Sequence, residues 1–164
     1  MKPLPSRVES FVAGLILGML LAWSIAPARA EGAGAIEHWG GVTLGSRHFT
    51  ADNEKYCESN PGIFYERRWA DGARGFHAGY YRNSFCKAER DDRIDDTFYA
   101  LAIYQPWRVW GWQAGGFAGP ASGYRKGNLT LLVGGLLTHR ITKDTAIQVV
   151  VNPAVAGLQL KMRF

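Results

Sequence analysis

The chain has 164 residues, of which 20 are glycine and 13% are aromatic, and its formal net charge is +5. That length allows one domain with a real core. The positive charge is too mild to argue for a nucleic-acid partner, although it suits a surface facing anionic lipid.

Residues 1–30 have the layout of a secretory signal peptide. Lys2 and Arg7 give a positive start, Phe11 to Ile25 is an apolar run, and Ala28-Arg29-Ala30 is a small-x-small cleavage site. The run is shorter than the ~20 residues that a helix needs to cross a bilayer. The expectation is therefore a signal peptide over 1–30 and an exported domain over 31–164. Cutting after Ala30 removes three of the 19 basic and one of the 14 acidic residues, leaving a net charge of +3.

Eight strands are predicted in the exported part. They are Glu37 to Phe49, Gly62 to Trp69, Gly75 to Phe85, Phe98 to Trp107, Trp110 to Phe117, Asn128 to His139, Ala146 to Asn152 and Gly157 to Phe164. Each is a β-branched or aromatic run bounded by Gly, Pro, Asn or Asp. In the last strand Leu158, Leu160, Met162 and Phe164 share one face, while Gln159, Lys161 and Arg163 share the other. The seventh repeats this, with Ile147, Val149 and Val151 set against Gln148 and Asn152. Strict alternation means that one face meets apolar surroundings and the other polar ones.

A soluble sandwich or a lipocalin-like barrel would also alternate. Three further features favour an eight-stranded antiparallel up-and-down barrel across the bacterial outer membrane. Phe164 ends the chain on an aromatic, as such barrels do. Trp107, Trp110 and Trp112 suit an interfacial girdle. The outward connections Thr50 to Pro61, Cys86 to Thr97 and Ala118 to Gly127 are also longer than the inward turns Ala70 to Arg74, Arg108-Val109 and Arg140 to Thr145, which is the asymmetry of transmembrane barrels.

The second and third strands read as a hairpin centred on Asp71-Gly72. In that register Cys57 falls opposite Cys86. An exported chain with two cysteines belongs to an oxidising compartment, so a Cys57–Cys86 disulfide is expected. Two unpaired buried thiols are the alternative.

The polar groups can be placed by height. His48 ends the first strand, and Asn83 and Ser84 end the third, so all three fall near the outer rim. A His beside a Ser is the minimal nucleophile-and-base pair. The His can instead act as general base on a substrate hydroxyl while Ser and Asn hydrogen-bond the reacting groups. Taken alone, such a trio also fits solvated groups at a loop edge. The sixth strand is apolar on both faces, with Leu129, Leu131, Val133 and Leu137 on one and Leu132 and Leu136 on the other. A small barrel with an apolar lumen either fills it with side chains or holds one small ligand, and a hydrocarbon tail is the natural guest. His38, His77 and His139 match no metal-ligand spacing, and no metal or cofactor is expected.

At these same residues the stretch GFHAGYYRNSFCK, following ERRW and a short turn, resembles the third-strand region of the PagP family of lipid A palmitoyltransferases. That family reads approximately W-x-G-x-Y-x-x-x-F-K-D-S-F there, and the ending LQLKMRF is similar to its last strand. The resemblance covers about a third of the exported part. It implies an outer-membrane acyltransferase moving a palmitoyl-type chain from a phospholipid donor to lipid A, monomeric and without cofactor. The family's catalytic His, Asp and Ser fall on His48, Asn83 and Ser84. Asn83 departs from the acid, and an amide cannot stabilise an imidazolium as a carboxylate does. In the charged loop that follows, Lys87, Arg90 and Arg93, with Arg125 and Lys126, become candidate partners for lipid phosphates. The alternatives are a non-catalytic small barrel, structural or adhesive, and a lipid A deacylase.

Overall fold

The computed structural model describes residues 34–49, 59–82, 96–125 and 128–164. The expected signal peptide lies outside them. Eight strands run in order as β1 (Glu37–His48), β2 (Gly62–Arg68), β3 (Arg74–Arg82), β4 (Asp96–Val109), β5 (Trp112–Arg125), β6 (Asn128–Arg140), β7 (Thr145–Val151) and β8 (Val155–Arg163). Each pairs antiparallel with the next, and β8 pairs with β1 to close a barrel. The expected all-β, eight-stranded antiparallel barrel is what the chain forms.

Turn chemistry explains the hairpins. The Asp71 carboxylate accepts the amides of Ala73 and Arg74 at 2.9 and 3.0 Å, and Gly72 takes φ 65°. Partial burial works against ionisation of Asp71, but those amides and the Arg74 guanidinium hold its carboxyl below the usual range. Gly62 pairs with Tyr81 and Arg68 with Gly75, which is the expected register about Asp71-Gly72. The β7–β8 turn is closed by Asn152, whose side chain accepts the amides of Ala154 and Val155, both at 2.9 Å.

Two predicted boundaries are corrected. The β4–β5 turn is Trp110-Gly111, not Arg108-Val109, because Val109 pairs with Trp112. Both turn residues have positive φ, 48° and 78°, the backbone whose twist suits a two-residue hairpin. Strand β5 also runs on to Arg125, so Ala118 to Gly127 is not a long loop. Its Gly, Pro and Ser content reads as loop, yet Gly119 is needed for close packing. A Cβ there would stand 2.1 Å from the Ala100 carbonyl oxygen. The loop-length asymmetry therefore rests on the connections after β1 and after β3.

The side chains are arranged inside out. Apolar residues face outward and stay exposed, as with Leu129 at 73% and Met162 at 61%, whereas Gln148, Gln159 and Lys161 point inward and are buried. Outward charges sit near the strand ends, at Arg47 and Arg82 on one side and Arg67 and Arg74 on the other. Exposed aromatics flank the band between them. Phe49 and Phe98 lie at the end where β1 finishes, and Trp107, Trp110 and Phe164 at the end where it begins. Trp112, expected with them, is instead half-buried beside the His139 ring, 5.0 Å between centroids.

The strands tilt strongly. From Arg47, paired residues run through Ala156 and Val151 to Gly135. From the adjacent Gly134 they continue through Phe117, Ile103, Gly75 and Arg68 to Glu37. One circuit thus descends almost the full length of β1, the stagger that a closed barrel requires.

Candidate functional site

The bore divides into two halves. Towards the Glu37 end it is filled by a charged network centred on Glu66, which is fully buried. Glu66 accepts hydrogen bonds from Arg68 Nε and Lys161 Nζ, both at 2.6 Å, and pairs with His77 Nδ1 at 3.1 Å. Lys161 also donates to Gln148 Oε1 at 2.7 Å, and its ammonium lies 5.2 Å from the Trp39 ring centroid. Arg68 reaches on to Gln105, whose amide donates to the carbonyls of Gln113 and Leu136 at 3.0 Å each. A buried charge is tolerable when paired and hydrogen-bonded in this way.

The network assigns the His77 tautomer. An ionised Glu66 only accepts, so Nδ1 carries the proton. Nε2 then accepts from the Tyr99 hydroxyl at 2.9 Å. The imidazole is held between the Phe64 and Tyr99 rings, with centroids 4.5 and 5.4 Å away.

Towards the His48 end the bore opens into a cavity of about 340 Å³. That lies within the ~300–1,000 Å³ range of small-ligand sites. Leu101, Ile103, Phe117, Leu132, Leu136 and Val150 give it an apolar wall. Leu132 and Leu136 are the inward face of β6, as the alternation requires, while Leu129, Leu131 and Leu137 are exposed on the outside. The expected apolar lumen is therefore confined to this half.

His48 lines the cavity and is buried. A bulge puts it there. Trp39, Gly41 and Thr43 face inward, so simple alternation would turn His48 outward. But Thr43 pairs with Gln159 and Gly45 with Leu158, leaving Leu44 as an extra residue. One inserted residue reverses the parity, and Ser46 and His48 face the bore. Nearby, β2 begins only at Gly62, and the Asn60 side chain bridges β1 and β3 beneath that gap. Its Oδ1 accepts from Ser46 Oγ at 2.6 Å and its Nδ2 donates to the Arg82 carbonyl at 3.1 Å. The hydroxyls of Tyr81 and Tyr124 hydrogen-bond at the cavity wall.

Among the sequence-predicted site residues, His48 is placed at the cavity. Asn83 and Ser84, just past the end of β3, lie outside the described residues. So do Cys57, Cys86, Lys87, Arg90, Arg93 and Lys126. Of Arg125 only the backbone is described, paired with Asn128 at the end of β5. His38 bonds the Tyr65 hydroxyl at 2.7 Å and His139 the Gly111 carbonyl at 3.1 Å, both consistent with structural roles. His77 lines the cavity and belongs to the Glu66 network. The signal was available, because the hairpin register that sets Cys57 against Cys86 also sets Glu66 against His77.

Fold and site together define a class: a closed eight-stranded barrel, apolar outside, half braced by buried charges and half hollow. No model of a known protein family matches the chain, and no curated protein matches it.

Proposed function

We propose that this barrel stands in the bacterial outer membrane as a monomer and handles an acyl chain, transferring a palmitoyl-type chain from a phospholipid to lipid A. The observation that carries this reading is the apolar-walled cavity opening at the end where His48 turns inward. The apolar outer face supports the membrane setting, since such a face suits lipid and would be costly in water.

The wall also supports lateral entry of a chain. Pairing between β6 and β7 ends at Gly135 and Val151, because β7 turns back at Asn152. Above that point Asn128–Gly134 of β6 has no ladder partner on the β7 side among the described residues. Leu132 and Val150 line the cavity on either side of this notch.

In the proposed reaction His48 takes the proton from a lipid A hydroxyl as its oxygen attacks the phospholipid ester carbonyl. The bond from that carbonyl to the glycerol oxygen breaks, and the proton passes to the departing lysophospholipid. Ser84 and Asn83 would hydrogen-bond the reacting groups. Mass spectrometry of lipid A from cells with and without the gene tests this. An added acyl mass that disappears in His48→Ala is the expected result, and no added mass would remove the reading.

A non-catalytic barrel is the second reading. The charged fill of half the bore favours it, because that half braces the wall and has no room for substrate. Under it, His48→Ala and Ser84→Ala leave lipid A unchanged.

A further inference from the structure

Strand β1 outruns its neighbour. Its ladder with β2 stops at Thr43 and Gly62, yet β1 continues to His48. From Gly45 to His48 it stays paired with β8, against Leu158 to Val155. On the far side of β2, β3 likewise runs past the last shared pair, Gly62 with Tyr81, and ends at Arg82. A strand end with a ladder on one side opens more readily than one held on both. The segment that carries His48 is such an end.

The residues just before β2 fill the opening. Asn60 is 3% exposed and continues the inward face of Phe64 and Glu66. The orientation of its carboxamide is fixed. The Arg82 carbonyl only accepts, so it must face the amide nitrogen. Oδ1 is then left to accept from the Ser46 hydroxyl, at 2.6 Å. The Pro61 carbonyl accepts the Arg82 amide at 3.0 Å. Gly62 lets the segment lie close against β3, since a Cβ there would stand 2.5 Å from the Tyr80 carbonyl oxygen. Asn60 and Pro61 thus hold both backbone groups of Arg82, and Asn60 reaches across to β1 two residues before His48.

We propose that Asn60 is a positioning residue for His48. Its side chain stands where the next turn of β2 ladder would be, and it holds the one-sided end of β1 so that the imidazole stays in the cavity. The bulge at Leu44 turns Ser46 and His48 inward together, so a bond to Ser46 inside the bore steadies both. A buried carboxamide engaged at both ends specifies one arrangement of the two strand ends. The consequence for rate rests on the acyl-transfer reading above, whereas the holding of His48 stands apart from it.

Carbethoxylation by diethyl pyrocarbonate tests this on the purified barrel in detergent, with each histidine followed by peptide mass spectrometry. In Asn60→Ala and in Ser46→Ala, His48 should react about tenfold faster than in the parent, the worth of one net hydrogen bond. His38 and His139, at the other end of the barrel, should keep their parental rates. Circular dichroism checks the sheet, and Ser46→Ala carries the test if Asn60→Ala does not fold. A His48 rate within about twofold of the parent, or a rise shared by all three histidines, overturns the proposal. In palmitoyl transfer, Asn60→Ala should lower kcat about tenfold and leave KM within about twofold, because the apolar wall is unchanged. An active parent matched in kcat by Asn60→Ala also overturns it. A parent without transfer activity removes the acyl-transfer reading and leaves the His48 rates to decide the role of Asn60.

Discussion

Glu66 and His77 face each other at a paired position of β2 and β3, and their side chains meet inside the bore at 3.1 Å. Lys161, from the far end of the chain, completes the contact at 2.6 Å from the same carboxylate. The two ends of the barrel sheet are thus joined by side chains as well as by the backbone ladder between β1 and β8.

Removing that carboxylate strands two cations. In Glu66→Ala, Arg68 and Lys161 remain buried without their counter-charge, and a broken buried ion pair costs about 3–5 kcal/mol. Urea unfolding in detergent should show the loss as a lower midpoint. Glu66→Gln should also destabilise, since the amide keeps the volume and an acceptor but not the charge. An unchanged midpoint in both variants would show that the network contributes little.

The outer face can be tested with a charge. Leu158 points outward from β8 and is exposed. In a bilayer, Leu158→Arg should cost about 2–4 kcal/mol. On a barrel surrounded by water the same exposed change should stay within about 0.5 kcal/mol. Unfolding in lipid vesicles distinguishes the two outcomes.

Filling the hollow half should abolish guest binding without opening the barrel. Val150 lines the cavity where β7 ends. Val150→Trp places a bulky ring in a space of about 340 Å³. The variant should lose displacement of a fluorescent acyl probe while keeping the β-sheet circular dichroism of the parent. Retained binding would mean that the probe sits elsewhere.

The β2–β3 register predicts the disulfide. Paired positions step outward from Arg68–Gly75 to Gly62–Tyr81, and the same spacing continued brings Cys57 to Cys86. Non-reducing peptide mapping of the protein should recover one cross-linked peptide holding both. Recovery of two free thiols would refute the pairing.

Much of this barrel could be read directly from the chain. The alternation of β7 and β8, the Asp71-Gly72 turn and the number of strands follow from local pattern and turn chemistry. What misled was also local. The Gly-, Pro- and Ser-rich stretch after Phe117 looks like a loop, because its reason for being glycine-rich is a neighbouring strand that sequence does not display. The inward rotation of His48 depends on one extra residue at Leu44, and a bulge leaves little trace beyond the glycine beside it. The network around His77 could not be assembled from the sequence, because its partners, Glu66, Tyr99 and the Lys161 that shares Glu66, are scattered along the chain.

The sequence by itself determined the strands, their two faces and the hairpin register, since a period of two and a tight turn are properties of neighbouring residues. Only the closed tertiary structure decided which face is inside, where the bore is full and where it is hollow, and which way His48 points. Those features depend on closure. Bringing β8 against β1 makes Lys161 and Glu66 neighbours, and it encloses a volume whose contents are set by residues far apart in the chain.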